Sequence, residues 1–514
     1  MPATMLSAQK IVTWLRGVVA ADANLTADSR RVQAGDVFFA YPGDSADGRR
    51  YIGDAIERGA GAVVYEKAGF AWDDKENVPH FSAAGLKHLA GFVANAYYKQ
   101  PDKDMFTVAV TGTNGKTSCS YWLGMALSRL QSSAAPTTPV AVVGTLGVGT
   151  FQNGKPHAFD VTGYTTPDAV LLQRNLSDLR AARASVLAIE ASSIGLDQGR
   201  MNGLHVDVAL FTNFTRDHLD YHGDMIAYEA AKIQLFDSPG LQYAVINLDD
   251  PMGQRLIPYV QAKNIPVIGY SLGTAGNVAF ADVSVLRASA IRSTNAGTSF
   301  HIDAPFGSGQ VKTQLVGQFN VSNALGVLGV LLAKGIGWDA ALAAIAALTA
   351  VPGRMQQFGG QEAPLIVIDY AHTPDALEKT LSALRQVAEQ RGGELWCVFG
   401  CGGDRDPGKR PQMGAVSELA DHVVLTSDNP RSEDPSVIIS HIKSGMARIV
   451  PHVLEDRATA ILWAVRHAVK QDVVLLAGKG HETYQEIAGK KNPFLDADHV
   501  ALALAARATM MGGA

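Results

Sequence analysis

A chain of 514 residues, 47% hydrophobic and 18% charged, has the composition of a folded protein, and at about 150 residues per domain it divides into two to four units. Its 44 Lys and Arg against 49 Asp and Glu leave a net charge of −5, which gives no electrostatic reason to expect nucleic acid or an anionic membrane as partner. Three cysteines, Cys119, Cys397 and Cys401, make neither a disulfide framework nor a usual zinc spacing, so a reducing cytoplasm is the expected compartment.

Lys10 and Arg16 interrupt the apolar residues of the N-terminus, which does not read as a signal peptide. Residues 37–41 and 62–65 are strand-like and flank a helical pattern at 51–58 that Gly59 closes. The turn Gln100-Pro101-Asp102 bounds this small α/β unit, giving a first domain over 1–101.

A second domain, 102–351, opens with the apolar run Phe106–Thr111, a glycine-containing loop and a helix over Lys116–Leu130. Further apolar runs at 140–143, 186–189, 206–211 and Tyr243–Asn247 alternate with helical or loop segments. Short apolar strands so spaced imply a parallel sheet covered on both faces. Around 277–314 the texture turns to Thr, Ser, Val and Gly with partial alternation, the pattern of an antiparallel insert. The longest apolar stretch, 324–333, is far short of the roughly 18 residues of a membrane span.

Val351-Pro352-Gly353 breaks the chain again, and 352–514 repeats the α/β alternation as a third domain. Leu365–Asp369 reads as a strand. A helix at 375–390 follows, with Leu377, Leu381 and Leu384 on one face and Gly392-Gly393 as its stop. More strands follow at 394–399, 422–426 and Val473–Ala477. The fold class is α/β in three domains.

The strongest local signal is Thr111-Gly112-Thr113-Asn114-Gly115-Lys116-Thr117, between a strand and a helix. Gly112 and Gly115 let backbone N–H groups approach phosphate oxygens, and the helix N-terminus adds the positive end of its dipole. Lys116 can neutralise β- and γ-phosphates, and the Thr117 hydroxyl suits Mg²⁺. The usual phosphate loop has Gly where this chain has Val110, so the motif is a variant; a strand–helix turn that binds nothing is its alternative.

That variant, continued by Ser118, resembles the ATP loop of the Mur ligases, which build the peptide of bacterial cell-wall precursors, and of the related folylpolyglutamate synthetases. Asp28-Ser29-Arg30, Gly35-Asp36-Val37-Phe38 and Ala46-Asp47-Gly48 resemble the UDP-substrate domain of the members that add diaminopimelate or lysine. Thr165-Thr166-Pro167, Glu190-Ala191-Ser192-Ser193, Gln198 and Arg200 resemble the muropeptide-binding stretch, and Thr215 to Gly223 the metal-site segment. Gly317-Gln318-Phe319-Asn320 with Asn323, Pro352-Gly353-Arg354-Met355, Asp369 to Pro374, Asp428-Asn429-Pro430-Arg431 and Gly478-Lys479-Gly480-His481-Glu482 complete the series in the expected order. Ile194 departs from it, since many relatives have His after the Ser pair.

The resemblance implies a small N-terminal UDP-substrate domain, a central phosphate-loop ATPase domain and a Rossmann-like C-terminal domain. It implies a monomeric ATP- and Mg²⁺-dependent amide ligase that adds meso-2,6-diaminopimelate to UDP-N-acetylmuramoyl-L-alanyl-D-glutamate through an acyl phosphate. ATP then falls to Gly112 through Ser118, Asn320, Asn323, Arg354, Asp369 and His372. The UDP-muramoyl dipeptide falls to Ser29, Asp44, Ser45, Ala46, Thr165, Thr166, Ser192, Gln198 and Arg200. Diaminopimelate falls to Arg405, Asp428, Asn429, Pro430, Arg431, Gly478 and Glu482. Metal falls to Thr117, Glu190, His218 and a carbamylated Lys232, with Lys116, Lys232, His218 and Glu190 catalytic.

Without the resemblance several of these residues read differently. Glu190 could cap a helix or pair with Arg, His218 is a lone loop histidine and Lys232 a solvated helix lysine. Arg354 is a loop cation, and Arg431 would pair with Glu433 or Asp434. A lysine-adding ligase, a folylpolyglutamate synthetase (which lacks the Asp-Ser-Arg N-terminal domain) and an NTP-driven switch are the competing functions.

Overall fold

The computed structural model describes residues 3–43, 46–73, 77–130, 138–273, 281–294 and 297–511. It opens with a helix, Ala3–Val18, for which the sequence reading had no element. Ala8, Ile11, Val12 and Leu15, spaced for one helical face, are buried against helix Leu86–Tyr97. Beneath lie four parallel strands in sequential order, Leu25–Thr26, Val37–Ala40, Ala62–Glu66 and His80–Ala83.

The central sheet has eleven strands among the described residues. Its middle is parallel and runs Val283–Thr294, Val267–Ser271, Tyr243–Asn247, Val208–Phe211, Phe106–Thr111, Val186–Glu190, Val140–Gly144. Alternate residues feed opposite cores: Val108 and Val110 join one, Ala109 the other. Helices Lys116–Leu130 and Gln318–Ala333 cover the first face, and Ala169–Ala181 and Pro251–Gln261 the second. Antiparallel strands extend both ends. Gly297–Ala304 and Gly307–Thr313 form the expected insert, less residues 277–280, 295 and 296, which lie outside the described ones. Gly147–Gln152 and Lys155–Asp160 extend the other end, where the sequence showed only 140–143; Lys155–Asp160 is almost wholly exposed and carries no apolar alternation.

The third sheet runs Gln356–Gly359, Leu365–Asp369, Val473–Ala477, Leu395–Phe399, His422–Leu425, His452–Val453, with the first strand antiparallel and the rest parallel. The last-made of its long strands lies in the middle, so the strand order reverses there, and it is outside the C-terminal ends at such a point that open α/β sheets bind ligands. Among the described residues no helix is long and apolar enough to cross a membrane, and all three cysteines are free and buried.

Candidate active site

Strand Phe106–Thr111 lies between Val186–Glu190 and Val208–Phe211, and the glycine loop leaves its C-terminal end. Gly112 and Gly115 have φ of +142° and +87°. A side chain at Gly112 would overlap Thr212, and one at Gly115 would overlap the Asn323 amide, so both the turn and the close approach require glycine. Lys116 Nζ donates to Gly112 O (2.9 Å) and Thr113 O (2.7 Å), and burial lowers its pKa. Thr117, in the first turn of the helix, donates its hydroxyl to Glu190 Oε2 at 3.0 Å.

Glu190 ends its strand almost fully buried, and neither caps a helix nor pairs with an arginine. Thr145 N donates to Oε1 (2.8 Å) and Thr145 Oγ1 to Oε2 (3.1 Å). A side chain at Gly144 would overlap this carboxylate, so glycine opens the place it occupies. Burial raises the Glu190 pKa against those donors and Lys116.

Lys232 is not a solvated lysine. It is 1% exposed on helix Met225–Ile233, donates to the same Gly112 O at 2.9 Å and lies 4.3 Å over the Tyr228 ring. Burial and then Lys116 drive its pKa well below the usual value. Tyr228 in turn shares a hydrogen bond with Thr113 Oγ1 (3.1 Å). His218 has φ +53°, and burial lowers its pKa to about 4. Its Nε2 is 3.5 Å from Asp217, whose own burial is outweighed by His218, His372 and Lys409, holding it at about 2. Among the described residues no three His, Cys, Asp or Glu side chains converge as a ready-made metal cage. The fit for a hard cation is instead the adjacent oxygens of Thr117 and Glu190, which need phosphate oxygens to complete them.

The C-terminal domain supplies the facing wall. Arg354 Nη2 reaches Thr117 Oγ1 at 3.4 Å while its guanidinium lies 4.3 Å over the Tyr370 ring, so it is fixed rather than a free loop cation. Asp369 spends its carboxylate on Met355 N (2.8 Å) and Ala371 N (2.9 Å), bracing the turns around Arg354. His372 Nδ1 donates to Tyr370 O (2.8 Å), with Nε2 4.0 Å from Asp217. Asn114 donates to Asp375 at 3.2 Å. Between the two walls is a cavity of about 760 Å³. Thr113 through Ser118, Glu190, His218, Asn320, Asn323, Arg354, Asp369 and His372 all line it, as do Thr165 and Ser192.

The other expected site residues that the structure describes lie outside that lining. Ser29 is buried in a short turn that Asp28 caps, and Ala46 is exposed; Asp44 and Ser45 lie outside the described residues. Thr166 donates to Glu190 O (2.7 Å), and Arg200 donates to Thr166 O (2.8 Å) and Gln198 Oε1 (2.8 Å). This ties the muropeptide-like stretch to the Glu190 strand.

A second group gathers at the C-terminal ends of the third sheet. Asn429 bonds Glu482, Lys479 and Glu486, and Asp428 lies against Gly478. Arg431 does not pair with Glu433 or Asp434: buried Arg410 holds Glu433 and Asp434 caps helix Pro435–Lys443. Arg431 instead donates to Gly403 O (2.6 Å) and lies 3.4 Å from Glu486. Arg405, on the loop that carries Gly402 and Gly403, turns its guanidinium to Asp220 of the central domain (3.6 Å), while its stem and Arg431 Nη1 both flank Gly402.

Three family descriptions match successive parts of the chain: the Mur ligase family catalytic domain over 23–97, the Mur ligase middle domain over 110–331, and the Mur ligase glutamate ligase domain over 353–480. The chain belongs to the Mur ligase family. Relatives named UDP-N-acetylmuramoyl-L-alanyl-D-glutamate--2,6-diaminopimelate ligase are 63% identical in a Janthinobacterium strain, over 98% of each chain, and 52% in Ralstonia nicotianae, over 97% and 96%. A solved structure of that name is 37% identical, with a TM-score of 0.63 over 94% of this chain and 95% of its own. The Thermotoga maritima MurF ligase in complex with ADP, at 19% identity and TM-score 0.63 over 95% and 98%, shares the fold.

Within this Mur ligase the sequence reading missed several residues of the cavity. Thr145 had no signal, being one Thr in a glycine-rich turn. Asp217 stood inside the quoted metal-site segment beside His218, and Asp375 directly follows the quoted Pro374. Near Ile194 an imidazole does stand: His222 Nε2 is 3.0 Å from Ser193 Oγ.

Proposed function

We propose that the protein is the ATP- and Mg²⁺-dependent ligase that joins meso-2,6-diaminopimelate to UDP-N-acetylmuramoyl-L-alanyl-D-glutamate in the cytoplasm, acting as a monomer of three domains, 1–101, 102–351 and 352–514. The observation that carries the catalytic part is the meeting of Arg354 with Thr117 and Glu190 across one cavity. The names and identities of the relatives support the substrate.

A carboxylate is a poor acyl electrophile until the γ-phosphoryl of ATP is transferred to it; the amine then displaces phosphate to give the amide. Little of this is covalent work for the protein, which must position charges and offset repulsion between carboxylate and triphosphate. Lys116 and Arg354 do this from opposite walls, and the loop N–H groups hold the phosphates. Bound Mg²⁺, held by Thr117, Glu190 and phosphate oxygens, would supply further charge neutralisation. His218 and carbamylated Lys232 would hold a second ion. Carbamylation needs a neutral amine, the state that burial favours at Lys232. Thr165, Thr166, Ser192, Gln198 and Arg200 orient the dipeptide, and Ser29 with 44–46 takes the UDP end. Arg431 takes the carboxylate that diaminopimelate has and lysine lacks; a guanidinium fork suits it.

Release of ADP with formation of the tripeptide product, measured with meso-diaminopimelate, L-lysine and L-ornithine, tests the proposal. Product is expected to require ATP, dipeptide precursor and amino acid together, with diaminopimelate strongly preferred. A preference for lysine, or ATP hydrolysis without product, would overturn it.

A further inference from the structure

Five ionisable side chains meet where strands His422–Leu425 and Val473–Ala477 end. Two cations each hold one carboxylate. Lys479, fully buried, donates to Glu482 Oε2 (2.9 Å) and Asn429 Oδ1 (3.2 Å). Arg457, also fully buried, forks onto Asp496 at 2.8 and 2.6 Å and donates to Ala477 O (3.0 Å). The third carboxylate, Asp428, is left over. It is 8% exposed, and among the described residues no hydrogen bond reaches its side chain. It lies against Gly478 (φ +106°), where a side chain would overlap it. Three carboxylates against two cations leave the pocket one positive charge short, and burying an unpaired carboxylate is costly.

The same lysine braces the neighbouring loop. Asn429 donates its amide to Glu482 (2.8 Å) and accepts from Glu486 N (2.9 Å). Glu486 O accepts from Arg431 N at 3.0 Å. Asn429 is thus committed at both ends of its amide, which argues for bracing rather than direct ligand contact.

We infer that Lys479 is a positioning residue of the amino-acid subsite: by holding Glu482 and Asn429 it leaves Asp428 facing the ligand's distal ammonium. The inference rests on the reading above that this crevice takes a diamino acid. It separates two recognitions in one pocket. The distal ammonium is common to diaminopimelate and lysine and falls to Asp428; the extra carboxylate belongs to diaminopimelate alone and falls to Arg431.

Replacing Lys479 by Met removes both the brace and the cation. Glu482 and Asp428 then become neighbouring like charges that share a proton, and the ammonium loses counter-charge. In Lys479→Met the KM of meso-diaminopimelate and of L-lysine should rise by the same factor, about tenfold or more, the scale of one hydrogen bond to a charged group. The kcat and the KM of ATP should stay within about threefold. The ratio of kcat/KM between the two amino acids should not move, whereas Arg431→Ala should collapse it. With 2-aminopimelate, which keeps the distal carboxylate but lacks the ammonium, Lys479→Met should leave KM unchanged. An equal rise for 2-aminopimelate would mean a merely structural role and overturn the inference, as would an unchanged or lowered KM for the diamino acids. If Lys479→Met does not fold, Lys479→Gln, which keeps a donor but removes the cation, must give the same pattern for the inference to stand. Absence of product with wild type would instead remove the ligase reading itself.

Discussion

Lys232 and Lys116 both donate to the carbonyl of Gly112, yet they are held there for different reasons. Lys116 lines the cavity and points its charge where phosphates would lie, so Lys116→Ala should cost about 10²–10³ in kcat, the scale of one preorganised electrostatic group. The melting temperature should hardly change; near-normal turnover would remove the phosphate-loop assignment. Lys232 is shut away from water, and its ammonium is the disfavoured form. Between that lowered pKa and 10.5 the unfolded chain binds a proton that the folded chain does not, so stability must rise with pH across the window. Lys232→Met keeps the length and removes the titration. In CO₂-free buffer the variant should match or exceed wild-type stability, and its advantage should grow as pH falls from 9 to 6. It should also be inactive. Urea melts at the two pH values check this, and a variant advantage that does not grow toward pH 6 would show that the lysine is charged in the folded state.

At the scale of elements, what the sequence made legible depended on whether one segment carried the whole signal. The parallel strands were legible because burial on both faces leaves continuous apolar runs such as Phe106–Thr111 and Leu365–Asp369. The exposed strand Lys155–Asp160 and the helix Ala3–Val18 carried weaker patterns and were not read. In the site, the phosphate loop was legible because its glycines, lysine and threonine are contiguous. Thr145, which donates twice to Glu190 from 45 residues away, could be found only once the sheet had brought the two strand ends together. The break at Val351-Pro352-Gly353 was read as a boundary, and it is also a working turn. Arg354 N bonds Val351 O at 2.9 Å, with Pro352 and Gly353 in the central positions and Gly353 at φ +66°. A side chain at Gly353 would overlap the backbone of His481. Gly353→Ala should therefore displace Arg354 from Thr117, lowering kcat at least about tenfold while ADP affinity, set by the untouched loop, stays within about threefold. Calorimetric ADP titration beside steady-state rates separates the two; equal losses in both would place the turn's role in nucleotide binding instead.

Across the whole molecule, the central and C-terminal domains must stay together for Arg354 to reach the loop, yet much of what joins them is polar. Val316 and Phe319 reach into the C-terminal core. Beyond them stand Asn114 with Asp375 and two crossed ion pairs, Arg216 with Asp406 (3.5 Å) and Arg405 with Asp220 (3.6 Å). The partners of these pairs are 28–55% exposed, so each is worth only about 0–1 kcal/mol and is weakened by salt. Polar boundaries of this kind allow domains to move relative to one another, and a ligand that bridges the walls shifts the balance toward closure. The pair Arg216–Asp406 tests this without touching the residues assigned to substrate. Arg216→Asp and Asp406→Arg should each lower the closed population of nucleotide-free protein by up to about fivefold, the most that such a pair supports. The double swap, which restores opposite charges, should recover it. Single-molecule energy transfer between dyes on the two domains reads the population directly. ATP with the dipeptide precursor should close wild type and both single variants, because the ligands supply contacts that the ion pair does not. If the double swap opens the molecule further instead of rescuing it, the pair does not hold the domains together, and closure rests on the contacts at Thr117, Asn114 and the Val316–Phe319 seam.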